Sequence, residues 1–135
     1  MIYIRLLSLS FFLLFGQIVY SQDAPLIPPG DPDRGRLIFG QCRTCHYPEK
    51  AVGHNNGPSL HKIFGKIVGK QNGFENYSET FKNAEFKWTP TFMFYWLANP
   101  MEIFPESNMM SLGVPDSQDR SDLIAYLIKA SESDL

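Results

Sequence analysis

The chain opens on a short apolar run, Leu6 to Phe15, broken only by Ser8 and Ser10 and preceded by the single charge of Arg5. Val19 and Ser21 stand three and one residues before a cut at Gln22. That is the layout of a secretory signal peptide over residues 1–21, and a ten-residue run is short for a bilayer span. An uncleaved anchor from Ile2 to Tyr20 is the alternative, and both forms place the rest of the chain outside the cytoplasm. Pro25, Pro28 and Pro29 make residues 22–29 a tether without regular structure. The pattern then turns helical. Asp31-Pro32 supplies a capping carboxylate and a proline suited to the first helical position, and Gly35, Phe39 and Cys42 follow on one face. Thr89-Pro90 starts a second helix through Phe92, Met93, Trp96 and Leu97, which Asn99-Pro100 ends. A third opens near Asp116-Ser117, with Leu123, Tyr126, Leu127 and Ala130 as its apolar stripe. Between them lie long stretches rich in Gly, Asn, Ser and Pro, with no alternating strand. Loops of that length in a domain of residues 30–135 need something besides their own side chains to pack on.

Composition narrows the partner classes. The 135 residues carry 12 Lys+Arg against 14 Asp+Glu, which excludes a generally basic nucleic-acid binder. Two cysteines cannot build a Cys₄ zinc site or a cysteine-ligated iron–sulfur cluster.

Their spacing is Cys42-Arg43-Thr44-Cys45-His46, the haem c attachment sequence. Thiols three residues apart reach both vinyl groups of one porphyrin, and the next residue then lies under the iron as an imidazole ligand. Other chemistries fit less well. A thioredoxin-type dithiol needs a preceding strand and a βαβ context, neither of which is present. A zinc site from Cys42, Cys45 and two of His46, His54 and His61 needs a ligand adjacent to Cys45, which is awkward for a tetrahedron. A Cys42–Cys45 disulfide is the remaining option for an exported chain.

With that motif in place, the stretch from Gly30 to Ala130 resembles class I cytochrome c, in its mitochondrial and alphaproteobacterial branch. The resemblance is carried by Gly30-Asp31 through Phe39, Cys42 to His46, Gly57-Pro58-Ser59-Leu60-His61, Gly65, Gly73-Phe74, Tyr77-Ser78, Trp88, Leu97 to Pro100, Met109 and Asp122 to Leu127. It implies an all-α, class I cytochrome c fold: three main helices plus long loops wrapped around one covalent haem c. Pro58 falls where the family's carbonyl accepts the proximal imidazole N–H of His46. Gly35 and Phe39 would cross Leu123 and Tyr126. Tyr77 and Trp88 match the residues that bond the buried haem propionate. Met109 falls at the family's sixth-ligand position, whereas Met93 reads as core, Met101 stands where the family has a surface lysine, and Met110 points the other way. Three positions depart: Trp96 replaces a Tyr bonded to the Met sulfur, Phe81 an inner Asn, and Lys66 an Arg near the propionates. Indole can donate a hydrogen bond but never accept one.

The resemblance implies an electron carrier, since His46 and Met109 would fill both axial positions. Its partners would be membrane redox complexes, such as a quinol–cytochrome c reductase and a terminal oxidase or photosynthetic reaction centre, reached from the periplasm, with membrane association possible through the N-terminal segment. A haem c subunit of a larger oxidoreductase and a peroxidase-like enzyme are the alternatives. Charge bears on docking. Residues 30–87 hold nine basic and six acidic side chains, residues 88–135 two and seven. The lysines that ring the haem edge in mitochondrial members are largely replaced near Met109, by Met101, Glu102 and Asn108, with Asp116, Asp119 and Asp122 beyond. Docking through an apolar patch near Met101 and Ile103, or to a less acidic partner, is expected, with only weak dependence on ionic strength.

Overall fold

The computed structural model describes residues 27–132, so the signal segment and most of the tether lie outside the described residues. Five α-helices occur along them: α1 Pro32–Ile38, α2 Glu79–Lys82, α3 Pro90–Trp96, α4 Pro100–Ile103 and α5 Ser117–Glu132. A 3₁₀ turn, Phe39–Cys42, prolongs α1. Among the described residues, β structure is one isolated bridge between Ile67 and Lys87.

The three long helices begin where the side-chain chemistry asks. Asp31 Oδ1 accepts from the backbone N–H of Asp33 at 2.8 Å, and Thr89 Oγ1 from that of Phe92 at 3.0 Å. Asp116 Oδ1 does the same for Asp119 at 2.9 Å. Each oxygen satisfies an amide that the first turn leaves without a partner. The second and fourth helices were not expected. Each has four residues, too few to show an apolar period, and Pro100 serves both as the stop beyond α3 and as the start of α4.

α1 crosses α5 at a contact only glycine allows. A Cβ on Gly35 would sit 1.9 Å from the Asp122 carbonyl oxygen, and one on Gly30 would sit 2.1 Å from that of Ser121. One turn on, the Phe39 and Tyr126 rings pack 5.3 Å apart. Asp122, expected among surface acids, is instead fully buried at this crossing. Its Oδ1 accepts from the Asp31 N–H at 2.7 Å and from Gln118 Nε2 at 3.0 Å, and Arg34 Nε lies 3.2 Å from Oδ2. Burial pushes this carboxyl upward, but the Asp31 and Gln118 hydrogen bonds and the Arg34 charge outweigh it and hold it below the ordinary value. The end of the tether also docks. Ile27 packs on the core and Gln118 Nε2 donates to the Pro29 carbonyl at 2.8 Å.

Aromatic rings cluster in the rest of the interior, beside aliphatics such as Ile63, Val68 and Leu97. Phe81 lies between Tyr77, Trp88, Trp96 and Phe104, with ring centroids 5.0 to 6.4 Å away. Trp88 and Trp96 are 4.9 Å apart.

Gly35→Ala should lower unfolding free energy by about 2 kcal/mol or more, because rigid backbone must move. Gly40→Ala, where a Cβ meets nothing within 4 Å, should be neutral or stabilise by about 0.5–1 kcal/mol. Urea unfolding of the two variants checks the pair. The Asp122 shift carries a pH signature. A depressed carboxyl stabilises the fold above its unfolded value, roughly pH 4, and loses that contribution as pH falls through the lower folded value. The stability gap between the natural chain and Asp122→Asn should therefore be present at neutral pH and close below roughly pH 4.

Candidate haem site

The Cys-x-x-Cys-His segment is a wound turn at the end of the first helix. His46 N–H donates to the Cys42 carbonyl at 2.9 Å and Cys45 N–H to the same oxygen at 3.1 Å. Both thiols are half-buried and unbridged. Burial, with Cys45 beside it, pushes the Cys42 thiol up to about 11. A dithiol redox centre needs the opposite, a depressed thiol that ionises near neutrality. Arg43 pairs with Glu49 and lies over the Phe39 and Tyr47 rings at 5.8 and 5.5 Å.

His46 is oriented by its neighbours. Nδ1 lies 2.8 Å from the Pro58 carbonyl oxygen, which can only accept, so Nδ1 carries the proton and Nε2 keeps its lone pair. Burial lowers the imidazole's pKa and the Pro58 bond opposes this. Gly57 sits against the ring: a Cβ there would come within 2.3 Å of Cε1. The other two histidines are in loop hydrogen bonds, as expected. His54 Nδ1 accepts from the Ser59 N–H at 2.9 Å and Nε2 donates to the Asn72 carbonyl at 2.8 Å. His61 Nδ1 donates to the Pro48 carbonyl at 3.2 Å.

The four methionines of the folded part separate by environment. Met93 is buried in α3 and Met101 is half-buried. Met109 is half-buried and packs on the aromatic core, whereas Met110 beside it is 91% exposed. The Met109 loop is pinned at both ends. Ser107 N–H donates to the Phe104 carbonyl at 3.0 Å and Val114 N–H to that of Leu97 at 2.7 Å. Gly113 adopts φ +82° there, with no room for a Cβ beside the Leu97 and Ala98 carbonyls.

Arg120 is the residue that sequence reasoning missed. Buried in the first turn of α5, it donates from Nη1 to the Val114 and Pro115 carbonyls at 2.8 and 2.7 Å and lies 4.5 Å over the Phe94 ring. A cation near the positive end of a helix dipole is disfavoured, so these contacts are what hold it. An arginine directly after an aspartate looks like an ordinary surface charge in a sequence, and nothing local marks it as a clamp.

The cofactor-side residues gather through the core. Cys42, Tyr77 and Met109 all pack on the cluster containing Trp88 and Trp96. Tyr77 is half-buried, and burial pushes its phenol up to about 12, against a Gln71 backbone hydrogen bond. Trp96 Nε1 is buried with no hydrogen-bond partner among the described residues. Lys66 turns inward, donating to the His61 carbonyl at 2.8 Å and to Gln71 Oε1 at 2.9 Å, and burial lowers its pKa. A cleft of about 250 Å³ at the α1–α5 crossing, lined by Arg36, Glu49, Tyr126 and Lys129 among others, contains none of these predicted site residues.

No protein-family model matches the chain. Curated relatives do. A cytochrome c of Ginkgo biloba is 37% identical over 108 residues, covering 79% of this chain and 95% of its own length. One of Chlamydomonas reinhardtii is 39% identical over 105 residues, or 77% and 93%, and one of Theileria annulata 36% identical over 107 residues, or 78% and 91%. The chain belongs to the cytochrome c family. It therefore has the all-α cytochrome c fold, carries one covalent haem c and is an electron carrier rather than an enzyme. The residues present fit that group on their own chemistry. Two unbridged thiols share a turn with an imidazole whose Nε2 is free, a thioether packs on the same core, and a buried indole N–H lacks a partner. A buried donor left unpaired costs about 1–3 kcal/mol, so Trp96 Nε1 is a position that a bound group or its ligand would satisfy.

Proposed function

We propose that this protein is an exported one-electron carrier whose haem is attached through Cys42 and Cys45 and held by His46 and Met109. The observation that carries the ligand assignment is the His46–Pro58 hydrogen bond, which fixes one ring tautomer and leaves Nε2 as the donor atom for a metal. Haem c, once bound, supplies a single-electron couple whose potential is raised by a His/Met donor set. Met109 would be the sixth ligand, at the position the resemblance gives it, while Met93 is buried within a helix and Met110 faces solvent. His46 and Met109 would then both hold the iron, leaving substrate no open coordination position.

The surrounding residues hold this centre rather than react in it. Pro58 raises the basicity of His46 through the Nδ1 proton. Trp96, where the family has a Tyr bonded to the Met sulfur, would offer its unpartnered Nε1 to Met109, and as an indole it has no hydroxyl to titrate. Tyr77 and Trp88 would supply the propionate's hydrogen bonds. Phe81, which fills the place of an inner Asn with a ring, makes the interior drier than the family's pattern.

The N-terminal segment supports export: residues 1–21 act as a signal peptide, residues 22–29 as a tether and residues 30–135 as the haem domain. In the periplasm the carrier would shuttle between a quinol–cytochrome c reductase and a terminal oxidase or photosynthetic reaction centre. Uncleaved, the same segment would leave it anchored beside those complexes.

The ligand set is tested spectroscopically. Acid–acetone extraction should leave the colour with the protein, and the ferric form should show a weak far-red sulfur-to-iron band. Met109→Ala should abolish that band and Met110→Ala should keep it. Free extraction of haem, or survival of the band without Met109, would contradict the assignment. Protein recovered from a secreting host should begin at Gln22, give or take about two residues. Recovery only from membranes with Met1 intact would favour the anchored form.

A further inference from the structure

From Trp88 to Asp119 the chain has no lysine or arginine and four carboxylates, Glu102, Glu106, Asp116 and Asp119. Arg120, the next cation, is buried and spent on backbone carbonyls. Asp119 pairs with Arg34. Among the described residues no cation forms an ion pair with Glu102, Glu106 or Asp116; all three are exposed, and they accept only from Asn99, Thr80 and the Asp119 amide. This stretch is an uncompensated negative surface.

The same stretch also shows apolar side chains to solvent. Met110 is 91% exposed and Leu112 is 99% exposed, and Ile103 is 40% exposed. Of the expected apolar patch near Met101 and Ile103, Ile103 is thus exposed and Met101 is half-buried. A fully buried Leu or Met gains about 1.5–3 kcal/mol. Met110 and Leu112 forgo it on a loop whose neighbours Met109 and Val114 are tucked in and whose ends are pinned. Exposed apolar side chains interspersed with charged ones along one stretch have the composition of a protein interface.

We infer that the surface of residues 101–116 docks a redox protein whose contact face is apolar and fringed by lysine and arginine. This rests on the electron-carrier reading and deepens it. The polarity is opposite to that of the lysine-ringed mitochondrial members, which seek acidic partners. It also replaces the weak salt dependence expected from the sequence: against a basic-faced partner, attraction is lost as salt shortens the screening length from about 30 Å at 0.01 M to about 10 Å at 0.1 M.

The test is stopped-flow electron exchange between the haem-loaded protein and a lysine-ringed mitochondrial cytochrome c, used as a basic-faced probe, across that salt range. Hexaammineruthenium and ferricyanide serve as small cationic and anionic controls. The second-order rate with the lysine-ringed probe should fall by about 3-fold or more as salt rises. The combined Glu102→Gln, Glu106→Gln, Asp116→Asn variant should flatten that slope; Asn keeps the helix cap. Met110→Ser with Leu112→Ser should slow the protein probe at every salt while leaving hexaammineruthenium unchanged. A flat or rising salt profile, or variants that change nothing, would overturn the inference, as would self-association in sedimentation, which would make a second copy the occupant. Failure to exchange electrons with either small complex would instead overturn the carrier reading, and this inference with it.

Discussion

The contact on which the rest depends is the crossing of the first and last helices, so close that a single methyl group at Gly35 would collide with the Asp122 backbone. Such proximity is sterically unforgiving: it sets the separation of two helices within tenths of an ångström. It also brings the Asp122 carboxylate under the N-terminus of α1, where it accepts from the Asp31 amide. The position of α1 thus follows from α5, and the position of the cysteine turn from α1. The 3₁₀ turn Phe39–Cys42 carries this order straight into the pair of thiols and His46.

What is fixed there is met by two loops. One brings the Pro58 carbonyl to His46 Nδ1 and stacks a bare glycine against the ring. The other holds Met109 against the aromatic core between the Ser107–Phe104 hydrogen bond and the Arg120 clamp on Val114 and Pro115. Aromatic rings, among them Phe81, Trp88 and Trp96, pack between them. An electron carrier needs little more: a site whose protein ligands do not move much and whose edge a partner can approach.

Much of this was legible in the sequence because the signals are local. A capping Asp or Thr followed by proline starts a helix wherever it stands, and five consecutive residues define the attachment site. The resemblance supplied Pro58, Tyr77, Trp88 and Met109 in order, and the structure places Pro58 on His46 and the others on or in one core. What escaped was tertiary. Four-residue helices have no period to read. Asp122 and Arg120 look like surface charges on an amphipathic helix, and only the arrival of α1 and of the 105–114 loop makes them internal. Ile27 reads as tether until its packing is seen. The apolar surface expected near Met101 and Ile103 keeps Ile103 and extends to Met110 and Leu112, whose exposure in a loop no hydropathy pattern shows.

Native-state hydrogen exchange on the haem-loaded protein tests the claim that the crossing carries the site. If α1 and α5 are the foundation, the amides of Gly35, Leu123, Ile124 and Leu127 should exchange only through global unfolding. Those of the Met109 loop should open at a lower free energy while the crossing stays protected. Loop amides as protected as those of α5, or a crossing that opens first while the loop stays closed, would contradict the account.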